Sequence, residues 1–322
     1  MQRILKSSLL WLVSIGCVHN QLESETVTGN HDITLDQGFY SEHGKKFHNQ
    51  DPQMSEACEE LIRSYINITY LRHEYRELDI EVESAHFVRL RVFGSPYSPK
   101  KGLWAFGYAP EEGMSNEGMK HSTLWDYIPL TTDILISHTP PKGHCDESGG
   151  AALGCESLRR ALWRIRPCLA VCGHVHEGRG VDRVLWDLSS LDSGYGEHAT
   201  SHWDDPGLGN NKQSLINLSC KGKNEPLRNT GPLKLDIGCL TTVNRHADLL
   251  HYHDSTGQGS HRETPSAHSD VERLDDRMGR QETCIVNAAI MATSWPYRSS
   301  QKGARKYNKP IVIDLDLPIW SS

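Results

Sequence analysis

Residues 132–176 read TDILISHTPPKGHCDESGGAALGCESLRRALWRIRPCLAVCGHVH. Ile134-Leu135-Ile136 forms the apolar centre of a strand over Thr132–Ser137 that ends at His138. Over Cys155–Ile165, Leu158, Ala161, Leu162 and Ile165 recur at helical spacing, with Arg159, Arg160 and Arg164 on the opposite, solvated side. Pro167 stops this helix, and Cys168–Cys172 resumes as a short buried strand. The stretch is thus strand, helix, strand, and the two strands are expected to pair in parallel. His138 and the His174/His176 pair then fall just past the carboxyl ends of those strands, where open α/β sheets bind ligands.

On either side the chain also reads as folded. Residues 84–108 suggest a β-meander: Phe87–Phe93 as a strand, Gly94–Pro99 as a rigid loop, and Leu103–Tyr108 as the returning strand. From about 207 to 280 the composition shifts to Asn, Gly, Ser, His, Asp and Arg with little periodicity, which predicts a disordered, low-complexity insertion. Order returns over Glu282–Thr293 and in Ile311–Leu315, two strands expected to rejoin the main sheets as a final hairpin. The organisation expected is an atypical N-terminal segment at 1–26, a main domain at 27–206, the insertion at 207–280, and completing strands at 281–322.

A chain of 322 residues can bury a large core, and a net charge of −7 argues against a nucleic-acid-binding surface. Nine cysteines without regular spacing read as reduced thiols, so a cytoplasmic setting is expected. Two basic residues in Met1–Lys6 before the apolar Ser8–Val18 imitate a short signal peptide, which makes secretion the minor alternative. That run is too short to span a bilayer.

Three segments carry the chemistry: Gly29-Asn30-His31-Asp32, Ser137-His138-Thr139-Pro140-Pro141 and Gly173-His174-Val175-His176. His174 and His176, two apart in an extended segment, would point the same way and reach one metal or two adjacent ones, with Gly173 giving the backbone a tight turn. Asn30 can offer an amide oxygen to a cation. His31 could protonate a leaving oxygen if Asp32 holds its ring. Cys168, Cys172, His174 and His176 also raise a structural zinc site, but a straight strand cannot make four ligands converge, so the two cysteines read as buried hydrophobes.

Taken together, the three segments resemble the calcineurin-like metallophosphoesterase family, most nearly the subgroup of metallophosphoesterase-domain proteins and their fungal homologues. Val92–Tyr97, Trp104-Ala105-Phe106 and Gly173–Gly178 add to the likeness, which runs from about Val27 to Asp187 and resumes over Glu282–Trp320. The resemblance implies an α+β fold, a sandwich of two mixed β-sheets flanked by helices. It implies a dinuclear centre of manganese, iron or zinc acting on a small phosphoester substrate. Asn30, His138 and His174 would then bind one metal, His176 the other, and His31 with Asp32 would supply the leaving-group acid.

The family also carries upstream Asp-x-His and Gly-Asp motifs, and Met1–Thr28 contains no Asp. Cys17, His19, Glu23 and Glu25 are the potential ligands there. The chain is therefore expected to be N-terminally truncated, lacking its first strand or strands, and to bind weakly or not at all at one of the family's two metal positions. The alternative function is an inactive or truncated homologue.

Overall fold

The computed structural model describes residues 11–16, 22–81, 87–109, 124–187, 196–220, 225–229, 279–292 and 307–316. Three strands near the N-terminus, β1 (Trp11–Gly16), β2 (Leu22–Val27) and β3 (Ile68–Tyr70), form one small sheet, with β2 antiparallel to β1 and parallel to β3. Two helices, α1 (Gln37–Phe47) and α2 (Ser55–Arg63), lie between β2 and β3 in the chain. Next come β4 (Glu74–Glu81), β5 (Phe87–Ser95), β6 (Ile134–Ser137), α3 (Glu156–Ile165) and β7 (Leu169–Cys172). The chain continues through β8 (Gly180–Asp187), β9 (Gly196–His202), β10 (Ser214–Asn217), β11 (Glu282–Asn287) and β12 (Ile311–Asp314).

The central sheet has seven strands in the order β9-β8-β11-β7-β6-β5-β4. Its middle, β11-β7-β6-β5, is parallel, and its flanks are antiparallel. The strand-helix-strand expectation holds, with β6 and β7 pairing Ile134 with Leu169 and Ile136 with Val171. Successive residues divide between two cores, as a pleated strand requires. Leu135, Ala170 and Ile285 face α3 through Leu158, Leu162 and Ile165. Ile134, Ile136, Leu169, Val171, Cys284 and Val286 face Val27 of β2 and Ile216 of β10. Each of the three α3 side chains is buried, at roughly 1.5–3 kcal/mol apiece. The result is a mixed α/β molecule with one large mixed sheet, few helices, and smaller sheets covering one face.

Several expectations are corrected. Within the stretch 1–26, read as an atypical segment ahead of the domain, lie β1 (Trp11–Gly16) and most of β2 (Leu22–Val27). Of the strand expected over Leu103–Tyr108, only Gly107–Tyr108 forms. Phe106 instead takes a left-handed φ of 52°, and its amide donates to Asp36 Oδ2 at 2.8 Å, which packs Ala105 and Phe106 beneath α1 and α2. The final strands make no hairpin. Buried β11 lies between β7 and β8, whereas β12 pairs in parallel with β10, inside the stretch expected to be an insertion. Ile216 and Leu218 account for β10, because both are buried in the core. The remainder of that insertion, 221–224 and 230–278, lies outside the described residues, as do Cys17 and His19. Among the described residues no helix is long and apolar enough to cross a membrane.

Candidate metal site

The carboxyl ends of β5, β6 and β7 meet in one row. The His138 amide donates to Ser95 O at 2.9 Å, and the Gly173 amide donates to His138 O at 3.2 Å. The segment following β2 approaches this row as a tight turn: the Gly29 amide donates to Asp32 Oδ2 at 2.8 Å, and the Asp32 amide to Gly29 O at 3.0 Å. Asp32, expected to hold the His31 ring, closes the turn that presents Asn30.

Asn30 and His138 are both buried, with Asn30 Oδ1 2.9 Å from His138 Nε2. The His174 ring stands edge-on to His138, centroids 4.6 Å apart. The ring of His31 lies against Trp104 at 4.2 Å. The Ala105 amide, donating to Asn30 O at 3.2 Å, ties the Trp104 loop to the same turn.

Glycine at 29 is a steric requirement. A Cβ there would lie 2.4 Å from His138 Cε1. Gly29→Ala is therefore expected to push the His138 ring off Asn30 while leaving the sheets intact. An altered His138 imidazole NMR signal with an unchanged far-ultraviolet circular dichroism spectrum would show this; an unmoved His138 signal would count against the packing described.

Four imidazoles influence one another here. Burial, followed by the proximity of His174, His31 and His176, holds His138 well below the usual histidine pKa. Burial and then His176, His31 and Lys101 take His174 down to about 4. Burial and His176 lower His31. Each ring disfavours a proton on its neighbours, so His138 and His174 stay neutral at physiological pH, the form that offers a lone pair to a cation.

The backbone differs from the extended run expected of Gly173–His176. His174 itself is left-handed, with φ 65°, and His176 opens a short 3-10 turn through Gly178. A left-handed non-glycine residue is strained, and such residues gather at functional sites. The two histidines share a site because the chain reverses there. Cys168 and Cys172 are buried in the sheet, and the Cys172 thiol donates to Val286 O at 3.5 Å, in keeping with their reading as small hydrophobes.

The donors fit a cation in part. His138 Nδ1 is buried without a hydrogen-bond partner, and neutral imidazoles beside an amide oxygen suit a borderline transition metal. Among the described residues, however, no three His, Cys, Asp or Glu side chains converge to hold an ion.

No family model matches the chain. It is 33% identical over 162 residues to human metallophosphoesterase domain-containing protein 1, covering 48% of this chain and 45% of that protein. The matched half of the chain is metallophosphoesterase-like. A Caenorhabditis elegans UPF0046 protein, K07C11.7, is 30% identical over 155 residues, 48% of this chain and 46% of its own length. The match to an Emericella nidulans protein named probable rhamnogalacturonate lyase C is 37% over 164 residues, half of this chain but only 13% of that protein. The chain thus spans about half the length, or less, of these relatives.

Two features of the site were missed in the sequence. The left-handed turn at His174 has no sequence signal, since glycine precedes it. The buttress of Trp104 on His31 joins residues 73 positions apart.

Proposed function

We propose that this chain hydrolyses phosphate esters, phosphodiesters or phosphomonoesters, with a divalent metal held at the Asn30, His138 and His174 site. The observation that carries this reading is the meeting of Asn30 and His138 at 2.9 Å with His174 edge-on beside them, from three separate segments. Manganese, iron or zinc suits such nitrogen and oxygen donors. When bound, the cation would supply electrostatic stabilisation of charge on the phosphoryl oxygens. His176, which lies close enough to His31 and His174 to shift both, is the donor for a second ion.

The reaction adds water across the P–O ester bond and releases an alcohol, leaving inorganic phosphate from a monoester or a phosphomonoester from a diester. His31 is the residue placed to pass a proton to the departing oxygen, on a turn closed by Asp32 and against Trp104. Its depressed pKa makes the proton readily given and also makes the protonated ring scarcer at neutral pH.

A second reading is an inactive homologue, and a specific observation favours it: no metal-holding trio of His, Cys, Asp or Glu converges among the described residues. Hydrolysis of bis(p-nitrophenyl) phosphate by the purified chain with added manganese separates the two. Turnover that disappears in both His138→Ala and His174→Ala is the expected result. A folded wild-type chain without turnover, or turnover that survives both substitutions, would leave the inactive reading standing.

A further inference from the structure

Asn287 ends β11 and is fully buried. Its side-chain amide is satisfied three times: Nδ2 donates to Cys145 O and to Val175 O, each at 2.8 Å, and Oδ1 accepts from the Ala289 amide at 3.0 Å. The two carbonyls belong to different segments. Val175 lies between His174 and His176, and Cys145 belongs to the loop that follows His138. Next to each hydrogen bond is a strained residue: Cys145 has φ 50° and His174 φ 65°. The two segments also press together at Gly178, where a Cβ would come within 2.1 Å of Cys145 O.

A carbonyl beside a left-handed residue is turned out of the usual chain direction and needs a donor aimed at it. Asn287 meets two such carbonyls with the two hydrogens of one rigid NH2 group. An aspartate of the same shape would place an acceptor against both. We propose that Asn287 is the positioning residue of the site: it holds the turn through Val175 against the His138 loop and so fixes the directions of the His174 and His176 rings. The proposal rests on the reading of those histidines as the working donors.

The test compares Asn287→Asp with Asn308→Asp. Asn308 Nδ2 likewise donates to two carbonyls, Ala289 O at 2.8 Å and Met291 O at 3.2 Å, neither of them in the Val175 turn or the Cys145 loop, and so serves as a control. In metal-free protein, the His174 and His176 imidazole NMR signals should move in Asn287→Asp and stay in place in Asn308→Asp. With cobalt(II) as the probe, the Asn287 variant should bind about 10–100-fold more weakly, with a changed visible spectrum, and the control should bind like wild type. Unmoved His174 and His176 signals in folded Asn287→Asp would overturn the proposal. Wild-type protein that ignores cobalt would sink the metal reading alone, leaving the metal-free signals to decide the positioning role. Should Asn287→Asp fail to fold, Asn287→Ser, which removes one donor and leaves room for water, is read in the same two ways.

Discussion

Arg280→Met is expected to cost about 3–5 kcal/mol of folding stability, because it strips the cation from a carboxylate held inside the central sheet. Arg280 and Asp133 are 7% and 3% exposed and form a direct ion pair. Arg280 also donates through Nη1 to Thr132 O at 2.7 Å, and Asp133 Oδ2 accepts the Arg91 amide at 2.9 Å. Three strands are tied at one point: β11 through Arg280 and β6 through Asp133, each just ahead of its strand, and β5 through Arg91 within it. Burial pushes the Asp133 carboxyl above its ordinary range even though Arg280 and Arg91 pull it down. With Arg280 gone, burial would act unopposed by the largest of those pulls, so the carboxyl should take up a proton at higher pH. The penalty of Arg280→Met should therefore be larger at pH 7 than near pH 4, and Arg280→Met/Asp133→Asn should recover part of it. Urea unfolding at the two pH values checks this. Equal losses at both, or a double variant no better than the single, would show that the pair is not coupled as described.

That ion pair also marks where the sequence stops being readable. Ile134-Leu135-Ile136 and the Leu158, Ala161, Leu162, Ile165 pattern announce β6 and α3, because local periodicity decides which face is buried. The order of the sheet is another matter. β11 enters between β7 and β8 after a gap of more than a hundred residues from β7, and nothing in Glu282–Asn287 says which neighbours it will have. Asp133 and Arg280 meet for the same reason and look unrelated along the chain. At the site, the structure brings Asn30, His138 and His174 together, and the sequence singles them out only through the combination of three short segments that are each weak alone. Their support was not legible. Asn287 reads as the polar end of a strand until its partners are seen, and the strain at His174 hides behind Gly173. Trp11–Gly16 forms β1 by pairing with Leu22–Val27, and that pairing is a tertiary choice no local pattern announces.

His144, in the loop that follows His138, should make the chain's stability depend on pH across the neutral and alkaline range. Its ring is buried, with Nε2 2.9 Å from Glu197 Oε1 and Nδ1 3.3 Å from Asp182 Oδ2. Arg159 Nε donates to the same Glu197 oxygen at 2.7 Å, and His202 Nδ1 lies 2.7 Å from Asp182 Oδ1. Burial alone would disfavour a charged ring here, but the two carboxylates outweigh it and hold the His144 pKa up to about 9, against an ordinary 6.5. A raised pKa gives stabilisation that is complete below pH 6.5 and is lost as the pH climbs through about 9. Glu197 runs the opposite way. Burial is overcome by His144 and Arg159, which bring it from 4.5 down to about 2, so its share is complete above pH 4.5 and is lost on acidification through about 2. The cluster is therefore at full strength between about pH 4.5 and 6.5. The stability difference between wild type and His144→Gln isolates the ring from the other buried histidines, whose lowered pKa values act with opposite sign. That difference should shrink by on the order of 3 kcal/mol between pH 6.5 and pH 9.5. Guanidinium unfolding curves for the two proteins over this range measure it. Parallel curves would mean that His144 is neutral already at pH 6.5, and that the loop after His138 is held to β8 and β9 by hydrogen bonds without charge.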